Sequence, residues 1–226
     1  MNNMTEQRAV IFSGGLLEHW MIGEIRPGDY VIGADRGALF LLRHGVKPDL
    51  AIGDFDSVSG EEKTWIREQS AKFEDCDPVM KDVTDTEMAF DRALHASPQR
   101  IVIFGGLGRR VDHSLANVHL LKRGADAGIR CEVVDSSNRV TLVTPQLPMR
   151  LAKGRYPFVS LLPLSMVVEG ITLSGFRYPL IDFRMELGTS RGISNELEAG
   201  EGTIRVRSGC LLVMESREPD ELSGGG

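Results

Sequence analysis

The chain has 226 residues, of which 42% are hydrophobic and 26% charged, and its net charge is −6. That is ordinary globular composition, enough for one large domain or two small ones. It excludes a general attraction to nucleic acid or an anionic membrane, and no apolar run approaches the roughly 18–20 residues of a membrane span.

No basic region followed by an apolar stretch opens the chain, so no signal peptide is expected. Cys76, Cys131 and Cys210 lie far apart without CxxC spacing. Reduced cytoplasmic thiols fit this pattern better than a disulfide scaffold or a zinc ribbon.

Ala9-Val10-Ile11-Phe12 predicts a short buried strand that runs into Ser13-Gly14-Gly15. Such a turn either offers backbone N–H groups to a phosphate or simply redirects the chain. Tyr30 to Ala34 predicts a second strand ending at Asp35-Arg36-Gly37, followed by a short helix from Ala38 to Arg43. A third strand, Leu50-Ala51-Ile52, leads to Gly53-Asp54-Phe55-Asp56-Ser57. Two carboxylates two positions apart repel, so one holds a proton or both share a cation. Mg²⁺ is the usual cation where a substrate brings phosphates. The competing reading is an Asp-rich surface turn.

Glu61 to Ala71 predicts a polar helix that buries Trp65 and Ile66. Lys81-Asp82-Val83-Thr84-Asp85-Thr86-Glu87 carries a capping-box spacing from Thr84 to Glu87, so a helix starts here, with Phe90 and Leu94 on one face. Asp82 and Asp85 then stand at a helix amino terminus. The macrodipole accounts for one acid there better than for two acids and a lysine.

Ile101 to Phe104 predicts a strand that runs into Gly105-Gly106-Leu107-Gly108-Arg109-Arg110-Val111-Asp112-His113, and a helix follows through Leu115, Val118, Leu120 and Leu121. The two arginines either meet phosphate oxygens or belong to a solvated loop. His119 reads as structural; His113 is left open. Cys131 to Val134 and Arg139 to Val143 predict further strands.

Alternating strands and helices over residues 1–144 predict a Rossmann-like parallel α/β domain. Its polar clusters fall at strand ends, where ligands bind in open sheets. No GxGxxG follows the first strand, which argues against a dinucleotide dehydrogenase. Thr144 to Pro148 reads as a linker. Short apolar runs separated by glycines and prolines predict a second, all-β sandwich domain over 149–218, and 219–226 reads as a flexible tail.

Taken together, these motifs resemble the thiamine pyrophosphokinase (thiamine diphosphokinase) family. The resemblance rests on Gly33 to Gly37, Pro48-Asp49 leading into Gly53 to Ser57, Lys81 to Asp85, and Gly105-Gly106-Leu107 with Arg110 to His113. Gly175 to Leu180 and Gly192 to Glu196 extend it into the β region, in the family's order. Arg109 departs from the pattern, where a small residue is expected.

The resemblance implies transfer of the pyrophosphoryl group of ATP to the hydroxyl of thiamine, giving thiamine diphosphate and AMP. It also implies a homodimer with the active site between subunits, the α/β domain holding ATP and the β domain holding thiamine. Asp54, Asp56 and Asp85 are the implied Mg²⁺ ligands, with Asp82 supporting them. Arg110 is placed on the transferred phosphates, helped by Arg109 or Lys81. Asp112 completes the metal site or accepts the hydroxyl proton, a role that Asp56 and Asp82 also suit. Asp35 with Ser13, Gly14 and Gly15 borders the nucleotide. Ser194 and Asn195 are carried over as thiamine contacts. Tyr178 and Phe176 either stack on a heterocycle or fill the sandwich core. Rival readings are pyrophosphoryl transfer to another alcohol, such as a hydroxymethylpterin, and a non-catalytic nucleotide or thiamine sensor.

Overall fold

Strand β1, Arg8–Phe12, is buried at every position, as the central strand of a parallel sheet must be. The computed structural model describes residues 7–76, 83–198 and 200–218. The chain divides into two units, Met1–Asp135 and Ser136–Gly226.

In the first unit a short 3-10 helix, His19–Glu24, follows β1. Then come β2 (Tyr30–Ala34), α1 (Arg36–Arg43), β3 (Leu50–Gly53), α2 (Gly60–Gln69) and β4 (Phe73–Asp75). α3 (Asp85–His95), β5 (Arg100–Phe104), α4 (Val111–Asp126) and β6 (Arg130–Val134) complete it. The strands lie in the order β6-β5-β1-β2-β3-β4, and every pairing is parallel. The chain winds outward from β1 to β4, then returns to the other side of β1 at β5. The order therefore reverses between β1 and β5, which opens a crevice at their carboxyl ends. Ala34 pairs with Ile52, so Asp35 and Gly53-Asp54 emerge side by side.

Val10, Phe12, Met21, Val31, Leu41, Val102 and Phe104 form one apolar cluster. Ala38, Leu39, Leu42, Ala51, Phe55 and Ile66 form another. Ile66 is fully buried but Trp65 is 39% exposed. Successive helical residues point about 100° apart, so α2 cannot sink both into one core. Thr84 caps α3, its hydroxyl accepting from the Glu87 N–H at 3.2 Å. The Glu87 carboxylate instead pairs with Arg123 of α4 at 2.8 Å, so the two helices are tied together. His119, read as structural, is exposed on α4.

Gly37 shows how tightly α1 docks on β1. A Cβ there would lie 1.8 Å from the Phe12 carbonyl oxygen and 2.5 Å from its carbon. Backbone cannot yield as a side chain can, so Gly37→Ala must push α1 off the strand. The expected cost is about 3 kcal/mol, or a fall in Tm of roughly 6–12 °C for a chain of this size. Calorimetry of the variant checks this.

The second unit contains β7 (Asn138–Val143), β8 (Met149–Ala152), β9 (Phe158–Pro163), β10 (Val167–Ser174), β11 (Leu180–Glu186), β12 (Asn195–Glu196), β13 (Glu201–Arg205) and β14 (Leu211–Ser216). They form one sheet in the order β12-β9-β14-β7 and a second in the order β11-β10-β13-β8. The pairings are antiparallel. Val143, Val159, Leu161, Leu211 and Val213 from the first sheet join Leu151, Ile171, Leu173, Met185 and Ile204 from the second in one core. This is a sandwich, and the alternating burial of β9 fits its single apolar face.

The division between the units differs from the sequence expectation. Residues 139–143 belong to a strand that pairs antiparallel with β14, so the first unit ends at Asp135. Thr144 to Leu147 is a tight turn closed by the Leu147 N–H on the Thr144 carbonyl at 3.1 Å, joining β7 to β8 within the sandwich. A strand's own residues do not record which sheet it enters.

Candidate active site

The carboxylates of Asp35, Asp54 and Asp56 each place one oxygen within 4.8 Å of the others. Asp35 comes from the end of β2 and the other two from the turn after β3. The sheet register brings them together. Asp54 Oδ1 accepts the Asp56 N–H at 3.1 Å, which folds the turn back on itself. Ser57 Oγ donates to Asp35 Oδ2 at 2.5 Å. Gly53, at φ 150°, has no side chain to intrude; a Cβ there would stand 3.2 Å from Asp85 Oδ1 and 3.3 Å from the Asp35 nitrogen. Asp85 thus faces the same point from the start of α3.

The cluster is electrostatically costly. Burial foremost pushes the Asp35 carboxyl above its ordinary range, and the charges of Asp85 and Asp54 add to this, while the Ser57 hydroxyl opposes it. Asp35 Oδ1 is buried and, among the described residues, has no hydrogen-bond partner. A hard divalent cation would answer both problems, neutralising the repulsion and giving the orphaned oxygen a ligand. The donor set, all carboxylate oxygen, suits Mg²⁺ better than a soft metal.

At the crevice between β1 and β5, the Ser13 N–H donates to the Phe104 carbonyl at 2.9 Å. The Ser13 hydroxyl shares a 2.5 Å hydrogen bond with Thr86 of α3. Gly15 passes so close to Gly105 that a Cβ would meet its carbonyl oxygen at 2.2 Å, while Gly14 has open space before it. Arg109 and Arg110 are exposed in the loop before α4. Arg110 pairs with Asp112 at 2.6 Å. That hydrogen bond, followed by one from the His113 backbone, lowers the Asp112 carboxyl to about 2. A carboxylate so stabilised is a weak proton acceptor. Lys81 and Asp82 lie outside the described residues.

In the sandwich, Ser194 is exposed at φ 58°, and its N–H donates to Ser160 Oγ at 3.0 Å. Asn195 is buried, and its amide serves the backbone. Its Nδ2 donates to the Tyr178 carbonyl at 2.8 Å, and its Oδ1 accepts the Tyr178 N–H at 3.1 Å. Phe176 is 2% exposed, within the sandwich core, whereas Tyr178 is 60% exposed.

A model of the thiamin pyrophosphokinase catalytic domain matches residues 24–133, and one of the thiamin pyrophosphokinase vitamin B1 binding domain matches residues 146–211. This chain belongs to the thiamin pyrophosphokinase family. It is 35% identical over 187 residues to a thiamine pyrophosphokinase of Bacillus subtilis, spanning 83% of this chain and 87% of that one. Among solved structures, thiamine pyrophosphokinase from Bacillus subtilis is similar at a TM-score of 0.86 and 32% identity, covering 94% of this chain and 100% of that one. Thiamin pyrophosphokinase from Geobacillus thermodenitrificans is similar at a TM-score of 0.84 and 32% identity, covering 95% and 99%.

The thiamin pyrophosphokinase catalytic match takes in Asp35, Asp54, Asp56, Asp85, Arg110 and Asp112, and begins after Ser13 to Gly15. The vitamin B1 binding match takes in Ser194 and Asn195. From the sequence, Asp35 was assigned to the nucleotide border and Asp85 to the metal. In the structure Asp35 completes the trio, and Asp85 stands across Gly53 from it. The available signal was that Asp35 and Asp54 both end neighbouring strands of one sheet.

Proposed function

We propose that this chain is a thiamine pyrophosphokinase that transfers the pyrophosphoryl group of ATP to the hydroxyl of thiamine. A bond forms between the thiamine oxygen and the β-phosphorus, the α,β-bridging bond breaks, and AMP leaves with that bridging oxygen. The thiamine hydroxyl proton is lost. The observation that carries this reading is the Asp35, Asp54 and Asp56 trio at strand ends of a parallel sheet in a chain of this family.

Pyrophosphoryl transfer asks the protein for alignment and charge neutralisation more than covalent chemistry. Asp35, Asp54 and Asp56 would hold Mg²⁺, with Asp85 beside them; the ion supplies neutralisation of phosphate charge. Ser13 to Gly15, at the crevice where the strand order reverses, border the nucleotide, in a domain read as Rossmann-like. Arg110 is free to exchange Asp112 for a phosphate, since the pair is exposed on both sides. Among the described carboxylates, Asp35 holds a proton more readily than an ordinary aspartate, and Asp112 less readily.

In this reading two copies associate with the active site between subunits. The apolar side chains of Met166, Ile181 and Leu187, 74%, 86% and 55% exposed, support association through the sandwich. A cytoplasmic location accords with Cys76, Cys131 and Cys210 lying far apart in the sequence without CxxC spacing.

The test is AMP release from ATP and Mg²⁺ with thiamine as acceptor. Thiamine-dependent AMP is expected. No AMP, or label from ATP reaching a hydroxymethylpterin and not thiamine, would overturn the reading. Ser194→Ala is expected to raise the KM for thiamine about 3–10-fold, the worth of one hydrogen bond, and to leave the KM for ATP unchanged. The reverse pattern would move Ser194 out of the thiamine site.

A further inference from the structure

Phe55 separates the two aspartates of the β3 turn. It takes φ 57°, a left-handed conformation that is a genuine outlier for a bulky side chain. Such strain persists only where the surroundings impose it. Two neighbours do so here. The Phe55 ring is 2% exposed and stacks on Phe73 with centroids 4.8 Å apart and planes 17° apart. Lys63 of α2 spans the turn on its other contacts. Its Nζ donates to the Asp54 carbonyl at 3.1 Å and to Asp75 Oδ1 at 2.8 Å. The same ammonium stands 5.6 Å from the Phe55 ring centroid.

We propose that Lys63 is a positioning residue that locks the Asp54-Phe55-Asp56 turn in its left-handed form, so that both carboxylates reach one divalent cation. This rests on the reading of the aspartate trio as a cation site. Lys63 touches no reacting atom. It fixes the carbonyl of Asp54 to β4, through Asp75, and its charge meets the π face of Phe55, the left-handed residue of this turn.

The proposal has a distinctive sign. As a bare positive charge near the trio, Lys63 would repel a cation, so removing it would tighten binding. As a lock, its removal loosens binding. Mn²⁺ binding to the nucleotide-free protein, followed by the loss of the free-ion paramagnetic resonance signal, reads this directly. Lys63→Gln is expected to weaken Mn²⁺ about 10-fold, the usual scale for a group that orients a metal ligand. The Mg²⁺ concentration that half-activates turnover should rise in step, with the KM for thiamine unchanged at saturating Mg²⁺. Lys63→Arg should recover most of the affinity.

Asp75→Asn, a change on a half-exposed side chain that leaves the lysine in place, should weaken Mn²⁺ by a smaller factor of about 3, since one of two anchors remains. It serves if Lys63→Gln fails to fold. Unchanged or tighter Mn²⁺ binding in Lys63→Gln, or in Asp75→Asn where only that variant folds, overturns the proposal. An Asp54→Asn variant that binds Mn²⁺ as tightly as wild type overturns the cation site itself, and the proposal with it.

Discussion

Asp56→Asn is expected to lower kcat by about 10²–10³-fold, the scale of losing one charge-stabilising group at a reacting centre, while the fold is retained. Asp56 is exposed, and its side chain fills no core. Its N–H, which donates to Asp54 Oδ1, survives the substitution. The expected change in stability is therefore within about 0.5 kcal/mol, as for most surface positions. What is lost is one negative charge from a set whose members lie within 4.8 Å of each other. Asparagine keeps the shape and an oxygen but not the charge, so raising Mg²⁺ should recover little of the rate. Turnover at saturating ATP and thiamine, measured across a Mg²⁺ series beside circular dichroism, checks both halves. A near-normal rate would remove Asp56 from the site. A collapsed spectrum would make it structural.

Much of this site was legible because the signals were local. Gly53 to Ser57 follows an apolar run, so its acids had to emerge at a strand end; Thr84, three residues before Glu87, marked the start of α3. Parallel winding then fixed which end of the sheet these clusters share. What the sequence concealed depended on pairing between distant segments. That Asp35 stands beside Asp54 and Asp56 was hidden because nothing within β2 shows that Ala34 pairs with Ile52. Arg139 to Val143 looked like one more parallel strand because its antiparallel partner, β14, lies some seventy residues later, as in the pairing of Thr141 with Val213. That the Asn195 amide binds the Tyr178 backbone was hidden as well, because a polar motif does not reveal its hydrogen bonds. The strain at Phe55 was equally hidden, since a phenylalanine in sequence reads as core and not as a left-handed residue.

Asp35→Asn should abolish most turnover and yet make the cation-free protein more stable. Asp35 is 8% exposed, with a buried oxygen that has no partner among the described residues and with Asp54 and Asp85 raising its cost of ionisation. An asparagine keeps an oxygen for the Ser57 hydroxyl and turns N–H groups toward the carboxylates, exchanging repulsion for donation. The gain expected in EDTA at neutral pH is about 1 kcal/mol, or roughly 2–4 °C in Tm. Its pH dependence follows from the direction of the shift. The folded Asp35 carboxyl lies above its unfolded value of about 3.9, so the folded chain holds that proton more tightly. The associated stability is fully present below the unfolded value and is lost as pH rises through the folded one. Wild type and variant should therefore have similar Tm near pH 3.5, and the variant should pull ahead as pH rises toward 7, the gap levelling off above the folded value. Mg²⁺ should then raise the wild-type Tm more than the variant's, because only the wild type offers the full trio. Scanning calorimetry in EDTA from pH 3.5 to 7, repeated with Mg²⁺, reads each term. A variant less stable than wild type at pH 7 in EDTA would mean that the Ser57 hydrogen bond to the ionised carboxylate outweighs burial and repulsion. The trio would then be a settled part of the fold, and no longer a cluster held in readiness for a cation.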